Sequence, residues 1–162
     1  TDVLPFSPKY LIIMGASNSL RAGIPPDKII VGLKILQKKC YENGIDPILL
    51  TLPTINPYNI DKVFDEGTSS DWAYGFNKVN AYIRTQIHID TAADFPMPPA
   101  ILPTEYALDG LHLDDNGKAI MGRTINASWN KVIKEFSADN QQPDIDISDD
   151  DLEMYYNTPD VT

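Results

Sequence analysis

Two strand-sized apolar runs, each succeeded by a stretch with helical spacing, constrain this fold more than any other feature. Tyr10-Leu-Ile-Ile-Met14 carries no polar face, so it reads as a strand buried on both sides, as in a parallel sheet. A small-residue loop, Gly15-Ala-Ser-Asn-Ser19, comes next. Ile24-Pro-Pro-Asp27 opens a helix, because proline suits the first turn and an acid suits its positive end. Ile29, Leu33, Leu36 and Cys40 recur at 4-3-4 spacing and predict one apolar stripe, which Asn43-Gly44 terminates. Asp46-Pro-Ile-Leu-Leu-Thr-Leu52 is the second buried strand.

The pattern then repeats. A long loop is expected from Pro53 to Ser70, with Ser69 and Ser70 as helix caps. Trp72, Phe76, Val79 and Ile83 define a second helix. Ile87-His-Ile-Asp-Thr91 alternates as a strand, and residues 94–108 are proline-rich and irregular. Asp114-Asp-Asn-Gly117 starts a third helix, N-capped by Asp114, with Met121, Ile125, Trp129, Val132 and Phe136 on one face. Strand–helix alternation of this kind predicts a parallel α/β layer structure.

Charge divides the chain. Residues 137–162 hold eight acids and no lysine or arginine, while the remaining residues hold 15 acids against 13 bases. Residues 1–136 are therefore read as one nearly neutral domain and 137–162 as an acidic tail or linker. The tail is expected to be disordered, with a docked hook as the alternative and Asp144–Ser148 as a possible edge strand. No basic stripe exists for a nucleic-acid backbone, and no apolar run approaches the roughly 20 residues a transmembrane helix needs. The single cysteine excludes an intrachain disulfide and leans toward a reducing, cytoplasmic setting. Its place in a helical stripe makes Cys40 core packing.

The chemistry concentrates in Asp109-Gly-Leu-His112, just ahead of the third helix. A carboxylate three residues before an imidazole can hold one ring nitrogen by a hydrogen bond, leaving the other to take a proton from a nucleophile. Ligands of parallel sheets bind at the carboxyl ends of the strands, so this segment and the Gly15–Ser19 loop can face one crevice. There the Asn18 amide is a candidate donor to a developing oxyanion. Tyr106 and Leu108 are candidate pocket residues. His88, between two isoleucines, reads as structural. Asn126-Ala-Ser128 matches a glycosylation acceptor but lies mid-helix. Asp114 and Asp115 have no further ligands around them to make a metal site.

On these residues the chain resembles the central and C-terminal part of the SGNH (GDSL-type) hydrolases. Their Gly-x-Asn-Asp block is similar to Ala16-Ser-Asn-Ser19, and their Asp-x-x-His block to Asp109-Gly-Leu-His112; Leu49–Pro53 also suits them. The likeness runs over about residues 8–135. It implies a flavodoxin-like three-layer α/β/α fold here lacking its N-terminal portion. It also implies serine hydrolysis of small-molecule, carbohydrate or lipid esters without metal or cofactor. His112 and Asp109 would be catalytic and Asn18 an oxyanion donor. Two departures stand out: Ala16 replaces the block's glycine and Ser19 its aspartate. The Gly-Asp-Ser nucleophile block has no counterpart, and the resemblance puts it upstream of Thr1, so the chain alone is expected to be inactive and to need that segment as a partner. A non-catalytic SGNH-like or flavodoxin-like binding domain is a rival reading. So is an α/β-hydrolase with Ser17 as nucleophile, since Gly15–Ser19 mimics Gly-x-Ser-x-Gly. Against that, such an elbow leads straight into a helix, whereas Arg21–Pro26 is expected to intervene.

Overall fold

The computed structural model describes residues 2–65, 67–138 and 144–160. Three parallel strands, β1 (Tyr10–Ile13), β2 (Asp46–Leu50) and β3 (His88–Ile89), lie in that order in one sheet. Tyr10 pairs with Asp46 and Leu49 with His88. The connections are helical: α1 (Ser17–Arg21) and α2 (Pro26–Glu42) lie between β1 and β2, and α3 (Pro57–Val63) and α4 (Trp72–Ile83) between β2 and β3. Beyond β3 come α5 (Asp115–Ala138) and α6 (Asp149–Asn157).

The fold is a three-layer α/β/α arrangement, because alternate residues of β2 feed opposite layers. Leu49 packs with Leu33 of α2 and Phe76, Val79 and Ile83 of α4. Ile48 and Leu50 pack with Ile89, Met121 and Val132, and the α5 stripe completes that face through Ile125, Trp129 and Phe136. Tyr10 meets Trp129 edge-on at 5.5 Å.

Several expectations need correction. β1 is not buried on both faces: it is the outer strand, and Ile12 and Met14 are 40% and 51% exposed. Leu36 is exposed, and Val31 and Gln37 are buried instead. Tyr82 of α4 bonds the Gln37 side chain (2.8 Å), so α4 draws the buried face of α2 round to Gln37. The second strand ends at Leu50 because the Asn80 amide then takes over: it accepts from the Leu52 N–H (2.7 Å) and donates to its carbonyl (2.9 Å). β3 is only two residues long, since Thr91 already enters a 3-10 turn.

The loop between β2 and α4 contains α3. Asn56 caps it by accepting from the Asn59 N–H, and Pro57 occupies its first turn. The Gly15–Ser19 loop also closes early, because α1 begins at Ser17 and no irregular stretch separates it from the strand-end turn. Ser69 contributes at the start of α4, its hydroxyl accepting from the Asp71 N–H.

The tail carries structure as well. Asp144–Ser148 forms no strand, because it runs instead into α6, which Ser148 and Asp151 open with reciprocal capping bonds. α6 docks on α2: Tyr155 packs over Gly32, and buried Lys28 pairs with Asp160 at 2.6 Å and donates to the Thr158 carbonyl. Asp139 and the rest of 139–143 lie outside the described residues.

Candidate active site

The candidate site assembles from four segments at the carboxyl end of the sheet. The chain leaving β2 is tied to the 100–110 segment by three hydrogen bonds. The Leu102 N–H donates to Ile55 O (3.0 Å), Asn56 Nδ2 to Leu102 O (3.0 Å) and the Asn56 N–H to Gly110 O (2.8 Å). Asn56 is buried, so these bonds replace water that cannot reach it. Gly110 meets the start of α3 so closely that a Cβ there would collide with Asn56 O and come within 3.0 Å of Asn59 Cβ. Its φ of +81° is also left-handed. Both facts require glycine at this turn.

That turn aims the dyad. One oxygen of Asp109 accepts from the N–H groups of Leu111 and His112, both at 2.8 Å. The other lies 2.7 Å from His112 Nδ1. A carboxylate only accepts, so Nδ1 carries the proton and Nε2 presents its lone pair. Burial pushes the Asp109 carboxyl up, but the N–H bonds and the adjacent imidazole outweigh it and hold the group below its ordinary value. Phe64 stands edge-on to the imidazole at 6.2 Å. Among the described residues, Nε2 has no hydrogen-bond partner.

His112 opens into a cleft of about 540 Å³ that Met14–Asn18, Pro53, Thr54, Leu111–Leu113, Lys118 and Met121 line. Asn18 lies on α1 and lines the same cleft, and its side-chain amide bonds to no described residue. Ala16, before it, has φ +90°, the conformation a glycine holds without strain. The structure therefore brings His112 and Asn18 to one cleft, while Asp109 holds His112 from outside its lining. Tyr106 and Leu108 do not line it: Tyr106 packs on Phe95, and Leu108 points to solvent with 74% exposure.

The sequence reading missed Lys118, Thr54 and Met121 as lining residues. The only available sign for Lys118 was its helical i, i+3 relation to Met121, which puts both on one face of α5. Thr54 is engaged, donating to Ala100 O (2.7 Å). Cys40 and His88 are structural as expected: Cys40 is buried, and His88 Nδ1 lies 2.8 Å from Gln86 O. Asp114 caps α5, accepting from the N–H groups of Asn116 (3.0 Å) and Gly117 (3.2 Å). No group of three or more potential metal ligands occurs among the described residues, and no described helix is long and apolar enough to cross a membrane.

Among solved structures, the chain is similar to one from Bacteroides fragilis NCTC 9343, provisionally described as an acylhydrolase. The TM-score is 0.63 at 21% identity, over 82% of this chain and 66% of that one. This chain thus spans about two thirds of that protein's length, and the likeness establishes the fold. No protein-family model matches the sequence, and neither does any curated protein.

Proposed function

We propose that this chain supplies the acid–base and oxyanion half of an SGNH-type serine ester hydrolase, with the nucleophilic serine on a segment upstream of Thr1. The observation that carries the reading is the Asp109–His112 pair at 2.7 Å, its Nε2 unpartnered in the cleft that also holds Asn18. In the reaction, the serine hydroxyl attacks the ester carbonyl as His112 Nε2 takes its proton. The Asn18 amide donates to the oxygen that gains charge. His112 then returns the proton to the departing alcohol; in the second half it takes one from the water that attacks the acyl group and gives it to the serine oxygen as the acid leaves. Asp109 holds the ring in position and stabilises the imidazolium. The fold shared with a protein provisionally described as an acylhydrolase agrees with a hydrolase reading.

The test is a version extended upstream, assayed with p-nitrophenyl acetate beside the 162-residue chain. The extended protein should turn over and the shorter one should not. His112→Ala should remove activity by roughly 10³-fold or more, and Asn18→Ala by about 10²-fold. An extended enzyme indifferent to His112→Ala sinks the proposal.

One observation favours a second reading. Ser17 opens α1 directly after the β1 strand and the left-handed Ala16, and it lines the same cleft. This is the strand–turn–helix setting of an α/β-hydrolase nucleophile, and it removes the objection that loop residues intervene. No described hydrogen bond joins Ser17 to His112. A fluorophosphonate separates the readings, because only the second lets this chain be labelled at Ser17.

A further inference from the structure

From the charge of the cleft, we infer that Lys118 selects esters that carry a negative charge, such as those with a free carboxylate. The inference rests on the ester-site reading above and names its substrate class. Lys118 lies in the first turn of α5, near Met121, and lines the cleft with His112. Among the described residues, no carboxylate lines the cleft and none forms an ion pair with Lys118. The nearest acids in sequence are otherwise disposed: Asp114 caps α5, and Asp115 is exposed outside the cleft lining.

Ser17 and Thr54 contribute hydroxyl residues, and the rest of the walls are mainly apolar, formed by Met14, Pro53, Leu111, Leu113 and Met121. Lys118 is exposed, so its ammonium acts at the cleft mouth and its pull on a counter-charge is modest and screened by salt. The polar groups divide the work by chemistry. The Asn18 amide can donate to an ester carbonyl, His112 Nε2 serves the nucleophile that attacks it, and the ammonium addresses an anion elsewhere on the same molecule. A substrate that suits all three is small and mostly apolar, with an ester at one end and an anionic group at the other.

A charge series of near-equal shape tests this on the chain itself, with no need of the serine. The probes are monomethyl succinate (anionic), methyl butyrate (neutral) and methyl 4-aminobutyrate (cationic). Binding is read from the ring signals of His112, one of only two histidines. The anion should bind about five- to tenfold more tightly than the neutral ester, and the cation more weakly than either. Added salt should narrow the gap. Lys118→Met should abolish the preference and Lys118→Arg retain it, with unchanged circular dichroism showing that both fold. Equal binding of all three at His112, or a preference that survives Lys118→Met, overturns the inference while leaving the ester site standing. If none of the probes moves the His112 signals, both fall together.

Discussion

Asp109 holds His112 by its ring and by its backbone at once: one carboxylate oxygen takes two main-chain N–H groups, and the other lies 2.7 Å from Nδ1. The ring is therefore fixed by a group that is itself fixed. In this arrangement the neutral imidazole must carry its proton on Nδ1.

The first prediction concerns that tautomer. Nitrogen-15 spectra of the folded chain near pH 8 should show His112 protonated at Nδ1. Asp109→Asn can offer the ring either an acceptor or a donor, so it should mix the tautomers. In the extended enzyme the same substitution should cost roughly 10³- to 10⁴-fold in kcat. An Nε2-protonated ring in the unsubstituted chain would contradict the geometry.

Acid should unfold the chain partly through the carboxylates the native state holds charged. Asp109 is held below 3.8 by the bonds described above. For Asp90, burial pushes upward, but Arg84, at 3.0 and 2.9 Å, and the Thr51 hydroxyl, at 2.8 Å, prevail and lower it. A folded value below the unfolded one means that stability is fully present above the ordinary carboxylate value. It is lost as pH falls through the folded value. The urea midpoint should therefore hold down to about pH 5 and fall steeply below about pH 4, with Asp90→Asn flattening the slope.

Two backbone positions should respond in opposite directions. Ala16 holds φ +90° without a glycine, so Ala16→Gly should stabilise the fold by about 1 kcal/mol. Gly110 has φ +81° and no room for a methyl, so Gly110→Ala should cost roughly 2–4 kcal/mol. Thermal melts of the two variants check both signs. The Gly110 variant should also loosen the Asp109–His112 pair, because the turn it occupies aims both residues.

The layers were legible in the sequence wherever one residue pattern decided the packing. The α4 and α5 stripes and the Gly44 stop depend on local spacing, and they stand as read. The Asp109–His112 contact was legible because three residues of separation leave little freedom. What spacing does not encode is which face a neighbour will cover. Leu36 and Ile12 look like core residues, yet exposure follows from the placement of α4 and from the outer position of β1. Lys118 was hidden for the same reason: its place in the cleft depends on how α5 sits beside walls contributed by three other segments. The capping of α3 by Asn56-Pro57 was written in the sequence, but proline and asparagine also mark loops.

The docked tail gives the last prediction. Lys28 has a side chain only 9% exposed, and its ammonium reaches Asp160, the Thr158 carbonyl and the Tyr155 ring. Lys34 adds a looser pair with Asp151 at 3.5 Å. Deleting residues 144–162 uncovers Lys28 to water instead of stranding it, so the loss should be modest, about 1–3 kcal/mol. Tyr155→Ala should account for a large share of it, since the ring covers both Gly32 and Lys28. Lys28→Met should behave differently: Asp160 is exposed and regains water, while the buried methionine keeps its packing, so the cost should stay below that of Tyr155→Ala. None of the three changes touches the cleft, and the His112 ring signals should not move. A shift there on tail deletion would show that the acidic helix acts on the site and not only on stability.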